Sequence, residues 1–247
     1  MVTFDGTDDL TAAQFVDADL TGARFVRARL AGVVMRGVDL PGADIDAPWL
    51  TDDRLLVNGV DVVPYVEAQL DRRFPGREQR RAEDPDGLRA AWAAVERTWE
   101  ATLARAATLP AGAVDVQVDG EWSFAQTLRH LVFATDTWLR RAVLQIDGPP
   151  HPLGQPNVEY ATDGHDTSVF MPGTPPYADV LAARADRVAQ VRDFLADVTP
   201  EQLEQVRTNP WAPDRTESVR QCVHVILEEE WEHHRYAVRD LARLAPG

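Results

Sequence analysis

From Leu10 onward an apolar residue returns at every fifth position: Leu10, Phe15, Leu20, Phe25, Leu30, Met35, Leu40 and Ile45. Two places before most of them stands a smaller one, as Ala13, Ala18, Ala23, Ala28, Val33, Val38 and Ala43. Strands repeat every 2 residues and helices every 3.6, so the spacing belongs to neither. It predicts a solenoid over residues 1–48 in which each repeat offers one inward plug and one small residue where the walls come close. Residues 49–83 read as a capping and bridging segment. Within it, residues 55–63 surround Asn58-Gly59, a pair suited to a hairpin turn, and residues 64–74 suit a short helix.

After residue 83 the pattern becomes that of amphipathic helices. Asp84 and Pro85 make an N-cap and first position, and Leu88, Trp92, Val95, Trp99 and Leu103 mark the inner face of a helix to about residue 105. Ser123 and Gln126 form a capping box that opens a second helix, to about residue 144, with Phe124, Leu128, Leu131, Thr135 and Trp138 inward. A third helix spans residues 177–198, Thr199 caps a short piece, and Ser218 with Gln221 opens the last long helix. Between the second and third lie residues 146–176, with seven prolines and no periodicity. A connection that long inside a compact domain is functional or a crossover, and it could lie over a site and carry substrate contacts. Four long helices with one long connection predict a four-helix bundle over residues 84–247.

Composition narrows the picture. A chain of 247 residues, 45% hydrophobic with seven Trp, can bury a substantial core. The single cysteine, Cys222, excludes an internal disulfide, and its place near an apolar face reads as packing. Lys+Arg total 25 against 40 Asp+Glu, a net charge of −15 that repels nucleic acid. Residues 1–48 hold eight Asp and four Arg, so this charge is spread along the chain. No apolar run reaches membrane-spanning length and the N-terminus lacks the basic and apolar regions of a signal peptide, so a cytoplasmic protein with no membrane contact is expected. Arg72, Arg73, Arg77, Arg80 and Arg81 form the one basic cluster, which reads as a solvated face pairing with acidic neighbours.

The chemistry concentrates in the last helix, at Glu230-Trp231-Glu232-His233-His234-Arg235. At 100° per residue, Val219, Val223, Ile226, Leu227, Ala237, Leu241 and Leu244 fall on the side of Glu230, with His233 and His234 flanking it. A buried carboxylate there needs a partner or a cation. Imidazole nitrogen and carboxylate oxygen are Zn²⁺ ligands, and residues four apart project side by side. Glu230 with His234 is the preferred register because both lie on the core side. Glu229 with His233 is a competing pair, Glu230 with His233 another, and His130 on the second helix is the candidate third ligand. A carboxylate satisfied by His130, or by an arginine of a neighbouring helix, needs no metal at all. His151 and His165 read as exposed loop residues.

Two resemblances cover most of the chain. Ala18-Asp19-Leu20 and Ala43-Asp44-Ile45 resemble the pentapeptide-repeat family, which implies a short right-handed β-helix of about two coils. Trp122-Ser123, then Leu128-Arg129-His130-Leu131, a long crossover and His233-His234-Arg235 resemble the DinB-like superfamily over residues 84–245. The implied fold is mainly α with a small β part: a DinB-like four-helix bundle preceded by the repeat segment. The resemblance further implies a divalent metal, Zn or Ni, on His130, on His234 and on the position that here holds Glu230. It implies a thiol S-transferase or thiol-dependent isomerase acting on a small electrophile, with a low-molecular-weight thiol such as mycothiol as cosubstrate. The alternative is a metal-free interaction module whose repeats bind a partner protein, or a second copy in a homodimer.

Overall fold

The computed structural model describes residues 3–5, 7–48, 50 and 53–245; positions 49, 51 and 52, at the start of the expected bridging segment, lie outside these. The chain divides into two units, residues 1–46 and 47–247.

In the first unit the backbone turns every fifth residue. Positive φ recurs at Ala12, Asp17, Gly22, Arg27, Gly32, Gly37 and Gly42, between 51° and 76°. Every second corner is closed by a hydrogen bond, Ala13 N to Leu10 O at 3.0 Å, then Ala23 to Leu20, Val33 to Leu30 and Ala43 to Leu40. Leu40-Pro41-Gly42-Ala43 carries the type II signature, proline to set φ and glycine to accept its positive value. The corners thus follow the five-residue period. The expected inward plugs do not pack: their exposure runs from 43% at Leu10 to 61% at Phe25, and no strand forms among the described residues of this unit. A solenoid buries a repeat only between neighbours, and so few coils supply little neighbouring wall.

The second unit is mainly helical with two small hairpins. Strands β1 (Leu56–Val57) and β2 (Val60–Asp61) pair antiparallel around Asn58 and Gly59, both at positive φ, as the sequence pair requires. Helix α1 (Val63–Arg73) and a 3₁₀ turn (Arg77–Arg81) lead to α2 (Pro85–Ala106), which Asp84 caps by accepting from Gly87 N at 2.9 Å. Helix α3 (Phe124–Thr135) opens with the Ser123/Gln126 capping box and continues as a π-helical segment (Asp136–Val143). The sequence pattern predicts an unbroken α-helix there; the wider turn instead begins at Asp136, which accepts from Arg187 and from the backbone of His151. After the crossover come α4 (Tyr177–Asp197), α5 (Pro200–Leu203), the hairpin β3 (Val206–Thr208) with β4 (Thr216–Ser218), and α6 (Val219–Leu244).

Helix α3 packs against α4 and α6, and α2 against the same two, which closes a four-helix ring. Its core is the apolar faces read from the sequence: Leu88, Trp92, Val95 and Trp99 of α2, Leu128 and Leu131 of α3, Val191 and Leu195 of α4, Ile226, Leu227 and Leu241 of α6. Burying each large side chain contributes about 1.5–3 kcal/mol. The basic cluster differs from its solvated reading. Arg77 and Arg80 are buried and pair with Glu67, Asp71, Glu228 and Glu232, tying the bridging segment to α6. Gly76, at φ 99°, lets the same segment lie close against α2, because a Cβ there would stand 2.7 Å from that of Ala94.

Candidate metal centre

The capping box of α3 fixes where that helix begins, and His130 follows just under two turns later, 7% exposed. Its Nδ1 lies 2.9 Å from the carbonyl oxygen of Gln155 in the crossover. A carbonyl only accepts, so Nδ1 carries the proton, and a ring protonated there alone would offer a lone pair at Nε2. That Nε2 faces Glu229 Oε2 at 3.4 Å, and His233 Nε2 approaches the same oxygen at 3.1 Å. The two rings lie 4.7 Å apart. Among the described residues His130, Glu229 and His233 are the group whose ligand atoms converge, all within 4.8 Å of one another.

Electrostatics act on Glu229 and His233 in opposite senses. Burial disfavours the charge of Glu229, but the hydrogen bonds and charges of His130 and His233 outweigh it and hold the carboxyl far below its usual range. Burial pushes His233 the other way, below the ordinary imidazole value, against the pull of Glu229. A metal requires the ionised carboxylate, and in binding it would displace the imidazole protons whose charge otherwise holds that carboxylate ionised. The spacing also fits. Around a tetrahedral Zn²⁺ with bonds of about 2.0–2.1 Å, neighbouring donors stand about 3.3–3.4 Å apart.

The register preferred from the sequence is not the one that converges. Glu230, 1% exposed at the middle of the apolar stripe, meets Arg184 of α4 at 2.5 Å. Burial raises its carboxyl pKa and Arg184 opposes this. His234 lies among Phe74, Trp99 and Trp231, with Nε2 2.8 Å from Thr102 Oγ1, and burial pushes it down to about 4. The reason is angular. The centre of the stripe points at α2 and α4, whereas Glu229 and His233 sit at its edge, beside α3, where both side chains keep about 15% of their surface open. The outcome weighed for Glu230, an arginine of a neighbouring helix, is the one observed.

Trp122 lies against both imidazoles, 4.7 Å from His130 and stacked 6.0 Å from His233, while Tyr236 flanks His233 on another side. Of the crossover histidines, His151 accepts from Leu153 N through Nδ1, and His165 packs on Tyr160 and Trp211; both are half-buried and neither joins the cluster. The Gln155 contact has no sequence signal, because any residue supplies a carbonyl.

Two comparisons bear on this geometry. The family model of the DinB superfamily matches residues 94–237, a span that holds His130, Glu229 and His233. Pentapeptide repeats match residues 9–46 in eight copies. No curated protein and no solved structure matches the chain.

Proposed function

The chain belongs to the DinB superfamily, and on that premise we propose that it is a divalent-metal-dependent enzyme in which His130, Glu229 and His233 hold Zn²⁺ or Ni²⁺ and a small-molecule thiol adds to a small electrophile. One observation carries the reading. With its Nδ1 proton committed to Gln155, His130 turns Nε2 toward Glu229 Oε2 at 3.4 Å while His233 Nε2 stands 3.1 Å from the same oxygen, so three donor atoms converge where a cation could sit. Such an ion, when bound, supplies Lewis acidity that favours thiolate over thiol at neutral pH.

The chain's own residues would do the rest. The Gln155 carbonyl orients His130, and Trp122 holds both imidazoles in place and excludes water from one side. Cys222 is fully buried and its thiol is pushed up to about 11 by burial, so the nucleophile is a separate thiol. The thiol's S–H bond breaks and its sulfur bonds to an electrophilic carbon; in an addition the proton ends on the adduct, and in a substitution it departs with the displaced group. The product is released as the conjugate in S-transfer, or the same bond breaks again after isomerisation. A mycothiol-like thiol is the cosubstrate this reading favours.

Metal analysis of the purified protein tests it. Near-stoichiometric Zn or Ni, at least about 100-fold weaker binding in His130→Ala and Glu229→Ala, and metal-dependent conjugation of a low-molecular-weight thiol with monochlorobimane are expected. A folded protein without affinity for either metal would overturn it. That result would favour a non-enzymatic interaction module, to which the exposure of Phe15 and Phe25 in the repeat unit lends support.

A further inference from the structure

Five arginines are buried among the described residues: Arg77, Arg80, Arg129, Arg184 and Arg187. Four of them meet carboxylates, of Glu67, Glu228, Glu230 and Asp136 among others. Arg129, 5% exposed, forms no ion pair with the described residues. Its Nε donates to Leu153 O at 2.9 Å, one terminal nitrogen to Gly173 O at 3.1 Å and the other to Met171 O at 3.3 Å. Three of five guanidinium N–H donors are thereby used, and the positive charge faces only carbonyl dipoles. Burial without a counter-charge pulls its pKa down.

Arg129 lines a cleft of about 470 Å³ between the start of α3 and the crossover, within the size range of small-ligand sites. Gln126, Gln155, Thr167 and Thr174 give this cleft polar groups and Phe170 an aromatic wall; no carboxylate lines it, and Asp115 lines the smaller adjoining cavity that shares Gln126, Arg129, Gly173 and Thr174. In a chain with 40 acidic residues, a cleft that combines an unneutralised arginine with no acid is selective by charge.

We infer that this cleft binds a small organic anion, its carboxylate on Arg129 and its apolar part against Phe170. None of the three metal-cluster side chains lines the cleft, so the site stands whether or not the metal reading does. The two are neighbours all the same, since Gln155 lines the cleft and lends its carbonyl to His130.

Calorimetric titration of the full-length protein with benzoate and with neutral benzamide tests the assignment. Benzoate binds, and benzamide binds at least about tenfold more weakly. Gln126→Glu keeps the capping box of α3, because Glu serves at that position as Gln does, and sets a fixed carboxylate beside Arg129. It weakens benzoate at least about tenfold with an unchanged unfolding temperature. Thr167→Asp, on the exposed crossover, does the same should the first variant misfold. Glu229→Ala leaves benzoate affinity unchanged. Equal affinity for acid and amide, no benzoate binding, indifference to both cleft variants, or loss of binding in Glu229→Ala would each overturn the assignment; the last would place the carboxylate at the metal cluster instead.

Discussion

Glu229 and Glu230 are adjacent in the chain and opposite in circumstance, so substitutions separate them. Glu230→Ala strands the Arg184 guanidinium, 3% exposed, and is expected to cost about 3–5 kcal/mol in urea unfolding of the metal-free protein. Glu229→Ala removes a group at a cleft edge, so its loss in the same experiment is smaller and its main effect falls on metal content. Glu229→His retains divalent metal, because a third imidazole replaces the carboxylate at the same edge; loss of metal in that variant would count against this ligand set. Cys222 gives a simpler check. Its raised pKa keeps the buried thiol protonated at pH 8, so Ellman's reagent leaves the native protein unlabelled and finds one thiol after denaturation. Fast native labelling would contradict that burial.

Among the elements, the crossover and the bridging segment are each tied to the bundle by buried charged side chains. Arg129 grips residues 153–173 through carbonyls, Asp136 holds the other end through His151 N and Arg187, and Arg77 and Arg80 clasp Glu228 and Glu232 of α6. Arg77 rises well above the usual guanidinium range: burial opposes its charge, but the surrounding carboxylates outweigh that. Arg77→Met removes the cation that Glu67, Asp71 and Glu232 share and leaves Glu67 to Arg80 and Glu232 to Arg235. A loss of about 1.5–3 kcal/mol is expected, with protease cutting first between α1 and α2. Unfolding indistinguishable from the parent protein would show that the clasp contributes no net stability, as some buried ion pairs do.

For the molecule as a whole, the two units differ in what they bury. The large core side chains all lie between Val63 and Leu241, whereas the repeat unit exposes its apolar residues. Removing residues 1–46 is therefore expected to leave the unfolding temperature and metal content of the bundle unchanged, and to reduce the fluorescence of a bound hydrophobic dye. A bundle that unfolds without the repeats would refute the first expectation. Among the described residues no helix is long and apolar enough to cross a membrane.

Local pattern decided a great deal. Caps at Asp84, Ser123, Thr199 and Ser218, the apolar faces of the long helices, the Asn58-Gly59 hairpin and the five-residue corners all depend on residues a few positions apart, and such interactions are written in the order of the chain. The same local information offered two carboxylate–imidazole pairs on α6 and favoured Glu230 with His234, whereas Glu229 with His233 is the pair that meets His130. Glu229 with His233 and Glu230 with His234 have identical spacing and differ by 100° around the helix. Only the packing of α6 against α2, α3 and α4 turns one pair to an open edge and the other onto Arg184 and Thr102. The burial of Arg77 and Arg80, the uncompensated charge of Arg129 and the Gln155 carbonyl on His130 likewise join residues far apart in sequence, whose meeting is settled by how the elements stack.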